Sequence, residues 1–310
     1  MKKAILILLP LLLLLPDIVF GYDIVAVMDA ERPHYQQALL GFQEVCDCSP
    51  TPMGGVKSIQ HFTLSRIIIG DKNDAEVTAN IRSCRPDLIL AVGNRGLRAA
   101  TAVPGIPILY MLVTHPNRIV GQRSNITGVE LRLPADLQLQ TIHSHLPDLK
   151  RLGVIYDPRR TGALISEAKI AAPAHGISLL ASPIHDRSKI PQLLGAMQRA
   201  NLDGFWMVPD LTVLSPATLQ DLFLFSLENK IPLITFADKF LHLGAAVSIT
   251  FNMRAVGIQA GEIAQEIAAG TPISAISPRA ANQTTVKEND LIIKKLGVTY
   301  KRTGQQGGAR

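Results

Sequence analysis

The side chains best placed to do chemistry in this 310-residue chain are polar groups that follow short apolar runs. Asp29 and Arg32 come after Asp23–Met28, Asn94 and Arg95 after Leu88–Val92, and Thr114 and His115 after Ile108–Val113. Farther along stand Asp157 and Arg159, His185 and Asp186, Asp210 and Asp238. In open α/β sheets a ligand sits beyond the carboxyl ends of the strands, so residues in these turns are the ones it would meet. The same residue types also cap helices and face water, so each has a structural use as well. Gly93-Asn94-Arg95-Gly96 is the sharpest local candidate, because free N–H groups at a helix start attract a carboxylate or phosphate and Arg95 adds a charge-assisted pair. Its two glycines equally serve a tight turn. Asp210 and Asp238 suit an ammonium group, which makes a zwitterion spanning a cleft the coherent ligand.

Catalytic signatures are mostly absent. Gly54-Gly55-Val56-Lys57-Ser58 lacks the Gly-Lys-Ser/Thr adjacency and the leading glycine of a phosphate loop. There is no Gly-x-Ser-x-Gly elbow and no His-Glu-x-x-His pair. His143 and His145 stand two apart on an expected helix, which turns them to different faces and disfavours a shared metal. Neither an enzymatic activity nor a cofactor is expected. Cys46, Cys48 and Cys84 are an odd set: one bridge from Cys84 to Cys46 or Cys48 is open to them, and Cys46-Asp47-Cys48 makes at most an incomplete zinc site.

The elements that must position these groups alternate in period. Tyr35, Ala38, Leu39, Phe42 and Val45 recur at helical spacing from Pro33; Val77, Ile81 and Cys84 mark a helix capped by Asn73 or Asp74. Short apolar strands stand between such helices, which is the grammar of parallel sheets covered on both faces. The pattern restarts after residue 125, and Asp87–Val92 leading to Ile106-Pro107-Ile108 echoes Asp203–Val208 leading to Ile231-Pro232-Leu233. This internal echo predicts two similar lobes. The formal charge of +6 is spread along the chain, with no basic run interleaved with aromatics, and argues against nucleic acid. Met1–Gly21 reads as a cleavable export signal: Lys2 and Lys3, an apolar core at Ala4–Leu15, and Val19-Phe20-Gly21 before a cut at Tyr22. That core is shorter than the about 20 apolar residues a permanent span needs.

Several segments together resemble the ABC transporter substrate-binding proteins related to tryptophan and tyrosine binders. They are Asn125-Ile126-Thr127-Gly128-Val129, the run Leu146-Pro147-Asp148 to Tyr156-Asp157-Pro158, Val208-Pro209-Asp210, Gly257-Ile258-Gln259-Ala260-Gly261, and Lys294-Lys295-Leu296-Gly297-Val298. The likeness covers nearly all of the chain after the signal. It implies a type I periplasmic-binding-protein fold, with two Rossmann-like lobes and a multi-stranded hinge crossing at 125–129, near 235–237 and near Ile276. The expected lobes are 22–125 with 240–275 and 126–239 with 276–300, followed by a disordered tail at 301–310. It also implies a periplasmic monomer that traps a small molecule and hands it to an inner-membrane permease and its ATPase. By position it adds Asn252 to the ligand-binding set of Asp29, Asn94, Arg95, Thr114, His115, Asp157, Asp210 and Asp238. The chain departs from the family at His115-Pro116, where an Asp-Pro pair is common, at Leu211, where an Asn follows the Asp, and at Asn252, where an Asp is usual. Two rival readings remain: a sensor subunit for a membrane kinase, and a secreted α/β hydrolase or racemase built on Asp157, His185 and Asp210.

Overall fold

Apolar runs with no polar face have to become strands covered on both sides. The computed structural model, which describes residues 21–47, 61–121 and 123–301, buries the inner strands so and leaves the edge strands His61–Ile68 and Ser178–Pro183 partly exposed. In the first lobe the strands are β1 (Gly21–Met28), β2 (His61–Ile68), β3 (Leu88–Val92), β4 (Ile108–Val113) and β5 (Ile126–Glu130). In the second they are β6 (Arg151–Tyr156), β7 (Ser178–Pro183), β8 (Gly204–Trp206), β9 (Leu233–Thr235) and β10 (Val247–Phe251). Two late strands, β11 (Arg279–Ala280) and β12 (Thr284–Glu288), complete the pair of six-stranded sheets. The strand orders are β11-β5-β4-β3-β1-β2 and β12-β10-β9-β8-β6-β7, so the expected repetition is present strand for strand. Every pairing is parallel except β12, which runs antiparallel to β10.

Helices α1 (Pro33–Asp47), α2 (Asp74–Ser83), α3 (Gly93–Thr101) and the short α4 (Asn117–Val120) follow the first-lobe strands. Asn73 caps α2 by accepting the Glu76 N–H at 2.9 Å. Helices α5 (Ala135–His145), α6 (Pro158–Ala171), α7 (Ile190–Arg199) and α8 (Pro216–Asn229) belong to the second lobe, where α5 packs on α6. After them come α9 (Met253–Ala268) and α10 (Asp290–Leu296). α9 returns to the first lobe and lies along α1 at backbone contact. A Cβ at Gly41 would collide with the Arg254 carbonyl, and one at Gly257 with that of Ala38.

All three expected crossings move. Ile126–Glu130, expected in the second lobe, pairs with β4, so the first crossing comes after β5, between Glu130 and Ala135. Val247–Phe251 is expected in the first lobe, with a crossing near 235–237, but β10 pairs with β9 in the second sheet. The second crossing therefore falls at Asn252, between β10 and α9, and the third falls after β11 and not at Ile276. Strand pairing is non-local, and neither partner's own periodicity announces it. The crossings are tied together: the Asn252 N–H donates to the Gln283 carbonyl at 3.2 Å. Gln259, only 5% exposed, donates to the Ala280 carbonyl at 3.1 Å and accepts the Asn282 N–H at 3.2 Å.

Cys46 is a buried free thiol, pushed up to about 12 by burial and by the Asp47 charge; Cys84 is an exposed free thiol. The expected export signal up to residue 20, Cys48, Gly54–Ser58 and the expected tail from 302 lie outside the described residues. No helix among the described residues is long and apolar enough to cross a membrane.

Candidate functional site

At the carboxyl end of the first sheet, β1 delivers Asp29, which accepts the Arg32 Nη2–H on Oδ2 at 2.8 Å. Its other oxygen, Oδ1, is buried with no hydrogen-bond partner among the described residues. Tyr35 lies beside it, its phenol held above the ordinary range by burial first, by the Asp29 charge second and by a weaker hydrogen-bonding approach to the Asp29 carboxylate. The Tyr35 hydroxyl occupies the space a Cβ at Gly93 would need, and Gly93 has φ +76°, so the start of α3 requires glycine on both counts. Asn94 and Thr114 come together: the Asn94 amide donates to Thr114 Oγ1 at 2.7 Å and accepts the Thr114 N–H at 2.9 Å. Arg95 turns away to the Gly70 carbonyl at 3.1 Å. The first turn of α3 has no side-chain cap.

Thr114 and His115 are presented by an irregular strand end. The β4–β5 register shifts between Tyr110 and Val113, and Leu112 and His115 take φ of 58° and 55°. Non-glycine residues in that region cost about 1 kcal/mol or more each, and such strain gathers where a strand end is re-aimed.

In the second sheet β6 and β8 are neighbours, which brings Asp157 and Asp210 together, both with 0% exposure. Asp210 Oδ2 accepts the Asp157 N–H and the Thr161 hydroxyl, each at 2.7 Å, and Oδ1 accepts the Thr212 N–H at 2.9 Å. Asp157 Oδ1 accepts the Arg159 N–H and Nε–H, both at 3.0 Å. Its Oδ2 accepts Arg159 Nη2–H and the Thr212 hydroxyl, both at 2.8 Å. The Arg159 hydrogen bond, supported by the backbone, by Thr212 and by the guanidinium charge, overcomes burial and holds the Asp157 carboxyl well below the usual carboxylate range. His185 Nδ1 lies 3.6 Å from Asp157 Oδ1. Asp186 accepts the N–H and hydroxyl of Ser188 at 3.0 and 2.6 Å, closing its own turn. A cavity of about 410 Å³ opens nearby, lined by Ile184, His185, Lys189, Leu193 and Arg199 among others.

The remaining two residues expected to face ligand hold the fold. Asp238 accepts the Ser248 hydroxyl at 2.6 Å and Lys287 Nζ–H at 2.7 Å. Burial pushes its carboxyl up, but the bonds from Lys287 and Ser248 outweigh it and leave it lowered. Asn252 caps α9 by accepting the Ala255 N–H at 3.0 Å. Among the described residues no cluster of three or more His, Cys, Asp and Glu side chains could hold a metal.

Sequence reasoning missed Tyr35, Arg160, Thr161 and Thr212. Thr212 had a readable signal: an Asp followed two residues later by a donor N–H is the Asx-turn spacing. Tyr35 had none, because its apolar periodicity marked it as core.

A family model described as ABC transporter substrate binding protein matches residues 55–303. A tyrosine-binding protein of Clostridioides difficile is 24% identical over 238 residues, covering 73% of this chain and 68% of the relative. The ligand-free, open structure of a substrate-binding protein with adhesive properties from Clostridium difficile superposes with a TM-score of 0.64 at 21% identity, over 92% of this chain and 97% of that one. An ABC transporter substrate-binding protein from Desulfitobacterium hafniense does so at 0.52 and 10% identity, over 91% and 99%. With most of its length matched, and the two parallel sheets described above, the chain belongs to the ABC transporter substrate-binding protein family.

Proposed function

We propose that this protein is the exported binding subunit of an ABC importer, closing on a small, polar, amino-acid-like ligand and delivering it to a permease and its ATPase. The observation that carries the reading is the pair of like sheets joined by short crossings, with polar groups at the carboxyl ends of both, in a chain of this family. A hinge of that kind favours closure when a ligand touches both sides. The leader-like Met1–Gly21 supports a periplasmic location for a mature chain beginning at Tyr22. The tyrosine-binding relative supports an amino-acid-like ligand.

The test is a thermal-shift screen of the chain from Tyr22 onward, stripped of carried ligand by partial unfolding, against amino acids, short peptides, sugars, nucleosides and organic acids. A ligand at 100 times its Kd stabilises by about 2.7 kcal/mol. One saturable hit among amino-acid-like compounds, accompanied by a smaller radius of gyration in solution scattering, is the expected result. A flat response across all classes would overturn the reading.

A further inference from the structure

We infer that the second lobe receives the anionic end of the ligand on Arg159 and Arg160, so that this chain selects an organic anion, a carboxylate above all, with an apolar body. The inference rests on the binding-protein reading and adds the ligand's charge and orientation.

The carboxylates at this end of the sheet are already spent. Asp210 is fully buried and accepts two backbone N–H groups and a hydroxyl; Asp157 is fully buried and accepts four donors. Asp157 has its acceptor sites filled and Asp210 keeps a single spare site inside a fully buried turn, so a ligand ammonium would have to displace bound donors or enter a closed site, which is costly. What these acids present to water is cationic. The Arg159 side chain is 67% exposed and is gripped on one edge only, through Nε and Nη2, so Nη1 remains without an acceptor among the described residues. Arg160 donates from Nε to Thr212 Oγ1 at 3.0 Å, the hydroxyl that donates in turn to Asp157, and its two Nη atoms have no acceptor among the described residues. Two consecutive guanidinium groups are thus attached to one unit, the fully buried Asp157 and the half-buried Thr212. A planar fork already held in place loses less freedom on meeting a carboxylate, and an anion relieves the repulsion between like charges.

Leu211 lies in the same loop, between Asp210 and Thr212, and is 70% exposed. One exposed leucine is ordinary on a surface. In the turn that holds Arg160 directly and Arg159 through Asp157, it supplies an apolar surface for the rest of the ligand. A zwitterion would then bind with its carboxylate toward the second lobe, opposite to the orientation expected from the Gly93–Gly96 loop and Asp210.

The deciding experiment is calorimetric titration of the chain from Tyr22 onward with carboxylates, sulfonates and phosphates, each carboxylate paired with its carboxamide, and with neutral sugars and nucleosides. It is repeated on Arg159→Gln, Arg160→Gln and the double variant, with circular dichroism confirming the fold. The expected result is a bound carboxylate that weakens about tenfold or more as its amide and by about tenfold in each single variant, with Arg159→Lys restoring only part of the loss. A carboxylate that binds the double variant unchanged overturns the inference. So does a neutral ligand as the only hit, which leaves the binding-protein reading standing. No binding in any class overturns both.

Discussion

Four donors converge on the Asp157 carboxylate, and its ionisation is therefore coupled to folding. The ordinary Asp value in an unfolded chain is about 3.9, and the folded protein holds the group well below it. A group whose pKa is depressed by folding contributes stability that is present above its unfolded value and is lost as pH falls through the folded one. Urea unfolding of wild type and Asp157→Asn should therefore differ by a constant amount from neutral pH down to about pH 5, and the gap should shrink below about pH 4. A gap unchanged between pH 5 and 2.5 would show that Arg159 and Thr212 do not favour the charged form. Asp210 teaches the complementary lesson. Its place after a strand makes it a ligand candidate, yet its oxygens serve Asp157, Thr161 and Thr212, contacts that couple the start of α6 to Asp210's own turn after β8. Type and position were legible at both residues. Which partners would claim their lone pairs was not.

Among the elements, α9 decides where the first lobe ends. Its apolar face, Val256, Ala260, Ile263, Ala264 and Ile267, was readable from helical spacing, and all of these residues are buried. The partner face was not readable. It is α1, approached so closely that Gly41 and Gly257 leave no room for a side chain, and a Cβ added at Gly261 would lie only 2.8 Å from Val45 Cβ. Gly257→Ala should lower the urea midpoint, because relieving a clash with the Ala38 carbonyl requires the helix axes to separate; overpacking of this kind costs about 1–3 kcal/mol. The helix-propensity gain of alanine over glycine, about 1 kcal/mol, acts in the opposite direction and sets the comparison: Gly270→Ala is no control, since Gly270 has φ +97°, whereas Gly162→Ala meets only Pro158 Cβ at 3.8 Å in α6. A midpoint for Gly257→Ala as high as that of Gly162→Ala would refute the close-contact account.

For the whole molecule, the third crossing is clipped by one buried side chain. Gln259, on α9, bonds the backbone on both sides of Ala281, at Ala280 and Asn282, where the chain leaves the first sheet for the second. Gln259→Leu should destabilise by about 1–3 kcal/mol by stranding a carbonyl and an N–H, and should also change the scattering radius of the ligand-free chain. If both melting temperature and radius stay at wild-type values, the clip does not hold the hinge. By itself the sequence determined the fold class, the alternation of strand and helix, and the duplication of the pattern, because each rests on local periodicity and burial that neighbouring residues share. Only the tertiary structure decided that β5 stays with the first sheet and β10 with the second, since hydrogen-bond partners lie far along the chain. It also decided that Asp157 and Asp210, 53 residues apart, lock one another and turn their arginines outward, because the order β7-β6-β8 places those strand ends side by side.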